Sequence, residues 1–314
     1  MTGLAPLPPG SRPAPGYQIL AHLARTGWAD VHDAWSEERD CRCVIKVVRP
    51  DRRGERWPAE RLLREGRWLC EFTHPHLVRG YETFESPEPL VVLETLTGET
   101  LSHLVLRLRR RPAAADVALL GVQLCSTVHY LHRRGVLHLD LNPSNVVVDR
   151  GHAKVLDLSA ARPPGPAPAG VGTCCYLSPE QARGGPLTAA ADVWGIGITL
   201  FEVACGGLPF DCDCARTEAR SDPRAEADGG GTGEGRAEAD GGGTGEGRAE
   251  ADGGGTGERR GERCPPVRAL PPVGSCRRLP PALAAAVDAC LRPDPPARPA
   301  VAELSAALRE TLPG

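Results

Sequence analysis

The chain has 314 residues and a formal net charge of −3, enough for one large domain or two lobes around a sizeable core. That charge gives no global basic footprint for nucleic acid, and no run of about 18 apolar residues offers a membrane span. The N-terminus is rich in Pro and Gly but lacks the apolar segment of a secretory signal, so the twelve cysteines are expected as thiols of a cytoplasmic protein.

The cysteine spacings argue against a zinc site. Cys41/Cys43 and Cys212/Cys214 are C-x-C pairs and Cys174–Cys175 are adjacent, whereas structural zinc uses paired C-x-x-C spacing. Of the 37 basic residues only Lys46 and Lys154 are lysine. Where an arginine-biased chain keeps a lysine, the ammonium is expected to do something a guanidinium cannot.

Residues 1–16 read as a disordered tail. From Tyr17 the pattern is strand-like, with Ile19, Leu20 and Leu23, then a turn, then Val31 and Ala34. A strand over Cys43–Val48 places Val44, Lys46 and Val48 on one face by its period of two. A helix follows from about Trp57 to Cys70, with Pro58 near its first turn. Leu62, Glu65 and Leu69 share one face of it, and a carboxylate on an apolar stripe is costly to bury unpaired. Lys46 is its natural partner. His74 and His76 lie in the next turn and read as structural. Leu90–Leu93 is a buried strand, and Arg107–Arg111 a solvated helix end.

A second long helix is expected over Val117–Arg134, with Asp116 as N-cap and Gly135 as its stop. His129 and His132 on it read as a packed or surface pair rather than metal ligands. Then comes the stretch Val136–Ser159, VLHLDLNPSNVVVDRGHAKVLDLS. It reads as a β-hairpin turning at Gly151, with polar groups at its entry and exit. Asp140, Asn145 and Asp157 form a set suited to phosphoryl transfer: one carboxylate for the attacking hydroxyl, the other carboxylate and the amide for magnesium. Asn142 and Asn145 are the only asparagines in the chain.

These residues, in this order, resemble the protein kinase superfamily, in particular bacterial Ser/Thr protein kinases of the actinobacterial type. The resemblance spans about residues 17–210 and 265–312. It implies a bilobal α+β fold: a small β-rich lobe with one main helix over residues 17–96, and a larger, mainly helical lobe over 97–314. It also implies ATP and Mg2+ as cofactors and protein substrates as partners. Asp140 stands at the catalytic aspartate, and Lys46 and Glu65 at the ion pair that positions the phosphate-binding lysine. Asn145 and Asp157 stand at the metal ligands. The nucleotide is expected against Leu23, Ala24, Gly27, Val31, Val44, Lys46, Leu93, Glu94, Leu96 and Val147, with Leu93 as gatekeeper and Glu94–Leu96 as the hinge. Thr173 matches the threonine that contacts the catalytic aspartate. Glu180 and Arg298 match a structural ion pair, and Asp192 the aspartate that anchors the catalytic loop from below.

Several positions depart from the family pattern. In LARTGWADVHDAW, the counterpart of the glycine-rich loop, the three usual glycines are Ala24, Thr26 and Ala29, and the β-branched Thr26 hinders close backbone approach. Val44 narrows the adenine pocket. Leu139 replaces the arginine that receives a loop phosphate in many kinases, and Asn142 replaces a lysine. The activation segment, Asp157 to Glu180, has no Ser, Thr or Tyr between residues 160 and 172. The expectation is therefore a slow kinase not switched by phosphorylation of that loop, with its prolines restricting the segment.

Residues 224–259 are three tandem copies of a twelve-residue unit, RAEADGGGTGEG, the last ending in Arg259. Residues 211–263 carry 14 acids and 8 arginines, net −6, and are expected as a disordered insertion. Two closing helices follow, Pro281–Leu291 and Val301–Leu312. The alternatives are a pseudokinase, acting as a nucleotide-binding or scaffolding module, and a small-molecule phosphotransferase.

Overall fold

The structure is a computed structural model and describes residues 4–108, 110–210 and 270–312. The tandem repeats lie outside the described residues. A five-stranded antiparallel sheet comes first, in the order β1-β2-β3-β5-β4. Its strands are β1 (Tyr17–Arg25), β2 (Ala29–Ser36), β3 (Cys41–Val48), β4 (Gly80–Phe84) and β5 (Leu90–Glu94). Side chains alternate between its faces. Ile19, Ala34, Ile45, Val47, Leu90 and Val92 build one apolar layer. On the opposite face Val48 and Val91 pack with Leu62 of helix α1 (Arg56–Glu71).

Residues 4–16 are not the free tail expected from their composition. Ile19 N–H donates to Ser11 O at 2.8 Å, and Gly10 N–H to Ile19 O at 2.8 Å. Ala14 is buried and Leu7 packs on the outer sheet layer. Two small apolar contacts and this pair of backbone hydrogen bonds at Ile19 cover part of what would be an open sheet face and edge.

The second lobe is mainly helical. After β6 (Glu99–Thr100) come α2 (Leu101–Arg107) and α3 (Ala114–His132), then the hairpin β7 (Val146–Asp149) and β8 (His152–Val155). The hairpin turns on Arg150 and Gly151, both at positive φ, a two-residue turn whose twist suits antiparallel strands. The long helix starts three residues earlier than expected. Asp116 is therefore not the N-cap: it sits in the first turn and accepts from Ala113 N–H at 3.2 Å. The helix is long and apolar enough to span a membrane by length and composition. Here it supplies core residues Leu124, Val128 and Leu131.

β9 (Gly165–Ala167), α4 (Pro179–Arg183), β10 (Gly185–Leu187), α5 (Ala189–Cys205), α6 (Pro281–Cys290) and α7 (Val301–Arg309) complete the lobe. α5 is apolar all round, with Trp194, Ile196, Ile198 and Leu200 buried, as befits a central core helix. Cys205 at its end is disulfide-bonded to Cys276, with Cα atoms 5.9 Å apart. Cys174 and Cys175 are disulfide-bonded as well. The reading of every cysteine as a free thiol is corrected at these positions. Free thiols remain at Cys41, Cys43, Cys70, Cys125 and Cys290, and no metal-holding group of His, Cys, Asp or Glu occurs among the described residues.

Candidate active site

Lys46 is the centre of the cleft between the lobes. Strand alternation turns it toward α1, where Nζ donates to Glu65 Oε2 at 2.8 Å and Oε1 at 3.0 Å. A third bond reaches Asp157 Oδ2 at 3.1 Å. The Lys46 and Glu65 side chains are 5% and 1% exposed, so neither charge could be held there without the other. Burial alone would lower the lysine's pKa, but the charges of Asp157 and Glu65 outweigh it and raise the value. Burial and the nearby Asp157 push Glu65 up to about 7, with Lys46 opposing. Asp157 moves the other way: Lys46 and the Ser159 N–H outweigh burial and hold it well below the ordinary carboxylate range.

Asp140 lies in the turn before the β7–β8 hairpin. Its Oδ1 accepts from Thr173 N–H at 2.8 Å, and its Oδ2 from Asn145 Nδ2 at 3.0 Å. Asn142 Nδ2 reaches Asp140 Oδ1 at 3.1 Å and Thr173 Oγ1 at 3.3 Å. The neutral amide thus ties Asp140 to Thr173. Burial and the charge of Asp157 raise the Asp140 pKa, against the Thr173 hydrogen bonds. Asn145 spends its side-chain amide hydrogens on Asp140 O and Oδ2, and its side-chain Oδ1 takes no hydrogen bond from the described residues. A neutral oxygen beside an ionised Asp157 fits a hard cation such as magnesium.

Asp157, just after β8, has φ 54°, and the turn carrying Asp140 is strained at Leu139, φ 64°, a region that side chains other than glycine rarely adopt. Asp192, buried at the start of α5, holds it. Its Oδ1 accepts from Leu139 N–H at 2.7 Å and its Oδ2 from His138 N–H at 2.9 Å. His132 Nε2 lies 2.7 Å from the same Oδ2, so this histidine supports the anchor. His74 and His76 bond to Ser126 and the Ala153 carbonyl.

The activation segment is held without a charge at position 139. Leu139 packs with Leu137, Leu187, Ala191, Ala167 and Val171, and β9 pairs antiparallel with β10, Pro166 lying opposite Pro186. Gln181 closes the arrangement. Its Nε2 donates to Leu139 O and Val171 O, both at 2.8 Å, while its Oε1 accepts from Ser178 N–H and Oγ–H. Gly172 lies so close that a Cβ there would meet Leu139 O at 2.6 Å. Arg298 makes a bidentate pair with Glu180, at 2.6 and 2.9 Å.

In the loop between β1 and β2, Thr26 Oγ1 accepts from Ala29 N–H at 3.0 Å and from Trp28 N–H at 3.4 Å. Those amides point to the threonine hydroxyl, so the substitution does more than crowd the loop. Trp28 folds inward beside Leu62 and Val48, with Lys46 Nζ 5.0 Å from its ring centroid. Leu23, Ala24, Gly27, Val31, Val44, Leu93, Glu94 and Leu96 are not fully buried, and Val147 is 9% exposed. Val44 pairs with Leu93 across β3 and β5, and Val31 with Lys46 across β2 and β3. The Glu94 carboxylate is taken by Arg79 N–H and by Lys154.

Sequence reasoning missed Trp28, Gln181 and the His132–Asp192 contact. Gln181 had a signal: Ser178 and Gln181 are spaced as a capping box, S-x-x-Q.

Comparison with known proteins gives the same fold. The protein kinase domain family matches residues 17–307. A probable serine/threonine-protein kinase PknB of Lactococcus lactis is 34% identical over 209 residues, covering 63% of this chain and 33% of that protein. Serine/threonine-protein kinase PrkC of Bacillus subtilis is 31% identical, covering 69% of this chain and 34% of its own length. The chain thus spans about a third of the length of the curated relatives it matches. The kinase domain of Mycobacterium tuberculosis PknI superposes with a TM-score of 0.66 at 17% identity, covering 98% of this chain and 99% of that one. The chain belongs to the protein kinase domain family.

Proposed function

We propose that the chain is a serine/threonine protein kinase domain, transferring the ATP γ-phosphoryl group to hydroxyls of protein substrates. The observation that carries this is the joint geometry of Lys46, Glu65, Asp157, Asn145 and Asp140 at one cleft. Lys46, held by Glu65, presents its ammonium for the ATP phosphates. Asn145 and Asp157 would hold magnesium, which neutralises phosphate charge when bound. Asp140 orients the incoming hydroxyl and accepts its proton; burial and the charge of Asp157 raise its pKa, which makes the carboxylate a stronger base. Thr173 and Asn142 fix that carboxylate's rotamer. Because Asn142 is neutral, less positive charge meets the transferring phosphoryl group, and slow turnover follows. Leu23, Val31, Val44, Leu93, Leu96 and Val147 are assigned to the adenine pocket, with the Glu94–Leu96 backbone at its edge.

We assign the domain to the cytoplasm, where ATP and magnesium are available. The test is the redox state of Cys205 and Cys276 in protein isolated from cells: a mostly reduced pair is expected, and a pair found oxidised overturns the assignment.

The test is label transfer from ATP and magnesium to a generic Ser/Thr protein substrate, with Asp140→Asn beside the wild type. The expected result is slow incorporation that falls about 100- to 10,000-fold in the variant. Equal incorporation in both, or none in either, overturns the assignment.

A further inference from the structure

Two histidines meet on the outer face of the five-stranded sheet. His22 of β1 stands opposite His32 of β2, and their rings lie edge to face with centroids 5.2 Å apart. His32 pairs in register with Ile45 of β3, a residue of the outer apolar layer. His32 is fully buried, and neither of its ring nitrogens has a hydrogen-bond partner among the described residues. A neutral imidazole carries one N–H donor and one acceptor. Both are stranded here, and a buried polar group without a partner is unfavourable.

Few charges surround this ring. On β1 they are His22 and Arg25, and on β2 Asp30; β3 sets only the apolar Ile45 and Val47 against His32 and Asp30. In residues 4–16 the one ionisable side chain, Arg12, is paired with Glu37. Asp51 acts on Arg25 from a distance and is itself paired with Arg49. Asp30 is buried and fully engaged. Its Oδ1 accepts from Arg25 Nε at 2.7 Å and its Oδ2 from Arg25 Nη2 at 2.8 Å, while His22 Nε2 lies 3.3 Å from Oδ1. Arg25 Nη2 also donates to Leu4 O at 3.0 Å. Arg25 thus joins Asp30 to the segment whose Leu7 and Ala14 lie on the outer layer.

Burial first, then His22, hold the His32 pKa below its ordinary 6.5, with Asp30 opposing and Arg25 assisting. Against the burial that would raise it, Arg25 and His22 hold Asp30 below the ordinary carboxylate value, so this carboxylate stays ionised. A proton on His32 sets a second cation beside Arg25 with only Asp30 to share. Either Asp30 turns from Arg25, which frees the contact to Leu4, or residues 4–16 lift and water reaches the ring. Both routes loosen the same segment.

We propose that His32 is a pH-sensitive latch: neutral, it keeps residues 4–16 docked on the outer sheet layer, and protonated, it releases them. The docked form keeps His32 neutral, and the released form binds a proton at the ordinary value of 6.5. Docking is therefore at full strength above that value and weakens as pH falls below it. The inference does not depend on phosphoryl transfer at Asp140.

The test is hydrogen exchange of the full chain, read by mass spectrometry at about pH 7.5 and about pH 5.5 as protection factors, which remove the chemical effect of pH on exchange. The reporters are the Gly10 and Ile19 amides, bonded to Ile19 O and Ser11 O. Peptides from α3 report global opening. Protection at the reporters should fall about tenfold from the higher pH to the lower, as uptake of one proton by the released form implies, with α3 unchanged. His32→Phe and His32→Gln, neither of which titrates, should each keep one level of protection at both pH values, and His22→Asn should keep the wild-type fall. A wild-type protection that does not change with pH, a fall that persists in either folded His32 variant, or loss of the fall in His22→Asn overturns the proposal.

Discussion

The two sides of the cleft are held by opposite means. On the sheet side, Lys46, Glu65 and Asp157 form a buried charge cluster in which every ion depends on the others. On the helical side, where charge is usual in the family, Leu139 sits in an apolar cluster with Ala167, Val171 and Leu187. There Gln181 supplies the polar links through a neutral amide. The difference teaches where this chain keeps electrostatic control. Charge remains where the proposed function needs phosphates and metal to be held, and packing replaces it where the activation segment has only to stay in place.

The first way to break that comparison is Glu65→Gln, which should give a larger effect than a change at Gln181 or Thr26. Lys46 loses its main carboxylate, and the rate of peptide phosphorylation should fall at least about tenfold. The pH dependence has two signs. Glu65 sits at about 7 against an ordinary 4.5, so the folded chain takes up a proton between those values. Its stabilising contribution is full below pH 4.5 and is lost as pH rises through about 7. The ionised form that pairs with Lys46 appears over the same rise. Wild-type rates should therefore fall on acidifying below about 7, while its melting temperature relative to Glu65→Gln improves.

Gln181→Leu comes next. It leaves the buried Leu139 carbonyl and the half-buried Val171 carbonyl without their shared donor, at roughly 1–3 kcal/mol for the buried one and less for the other. Thermal unfolding should shift down, and the KM for a peptide substrate should rise more than the KM for ATP, because the loss lies beside Thr173. An equal change in both constants would remove the distinction between the two sides. The smallest effect is expected from Thr26→Gly. Freeing the Trp28 and Ala29 amides for phosphate should lower the KM for ATP a few-fold, in keeping with about 0.5–1.5 kcal/mol per hydrogen bond.

Much of the charged side was legible in the sequence. A carboxylate on the apolar stripe of α1 and a lysine on the cleft face of β3 have few other partners, so the Lys46–Glu65 pair follows from periodicity and the cost of burial. Asp140, Asn145 and Asp157 were legible because their spacing around one hairpin is fixed by the turn at Gly151. The apolar side was hidden. Leu139 reads as a lost arginine until Val171, far along the chain, is seen against it, and non-local packing leaves no local period. Residues 4–16 were misread because Pro and Gly dominate their composition, while docking rests on Leu7, Ala14 and backbone bonds. Thr26 reads as a steric obstacle; only the fold shows its hydroxyl taking the loop amides.

The central claim is that packing, not a covalent phosphate, keeps the activation segment in place. The most direct measurement is the initial rate of peptide phosphorylation by the full chain before and after complete phosphatase treatment, with intact mass recorded for both samples. Equal rates are predicted whatever phosphate the treatment removes. A dephosphorylated chain that loses activity, and regains it as Thr173 is phosphorylated, would contradict the claim.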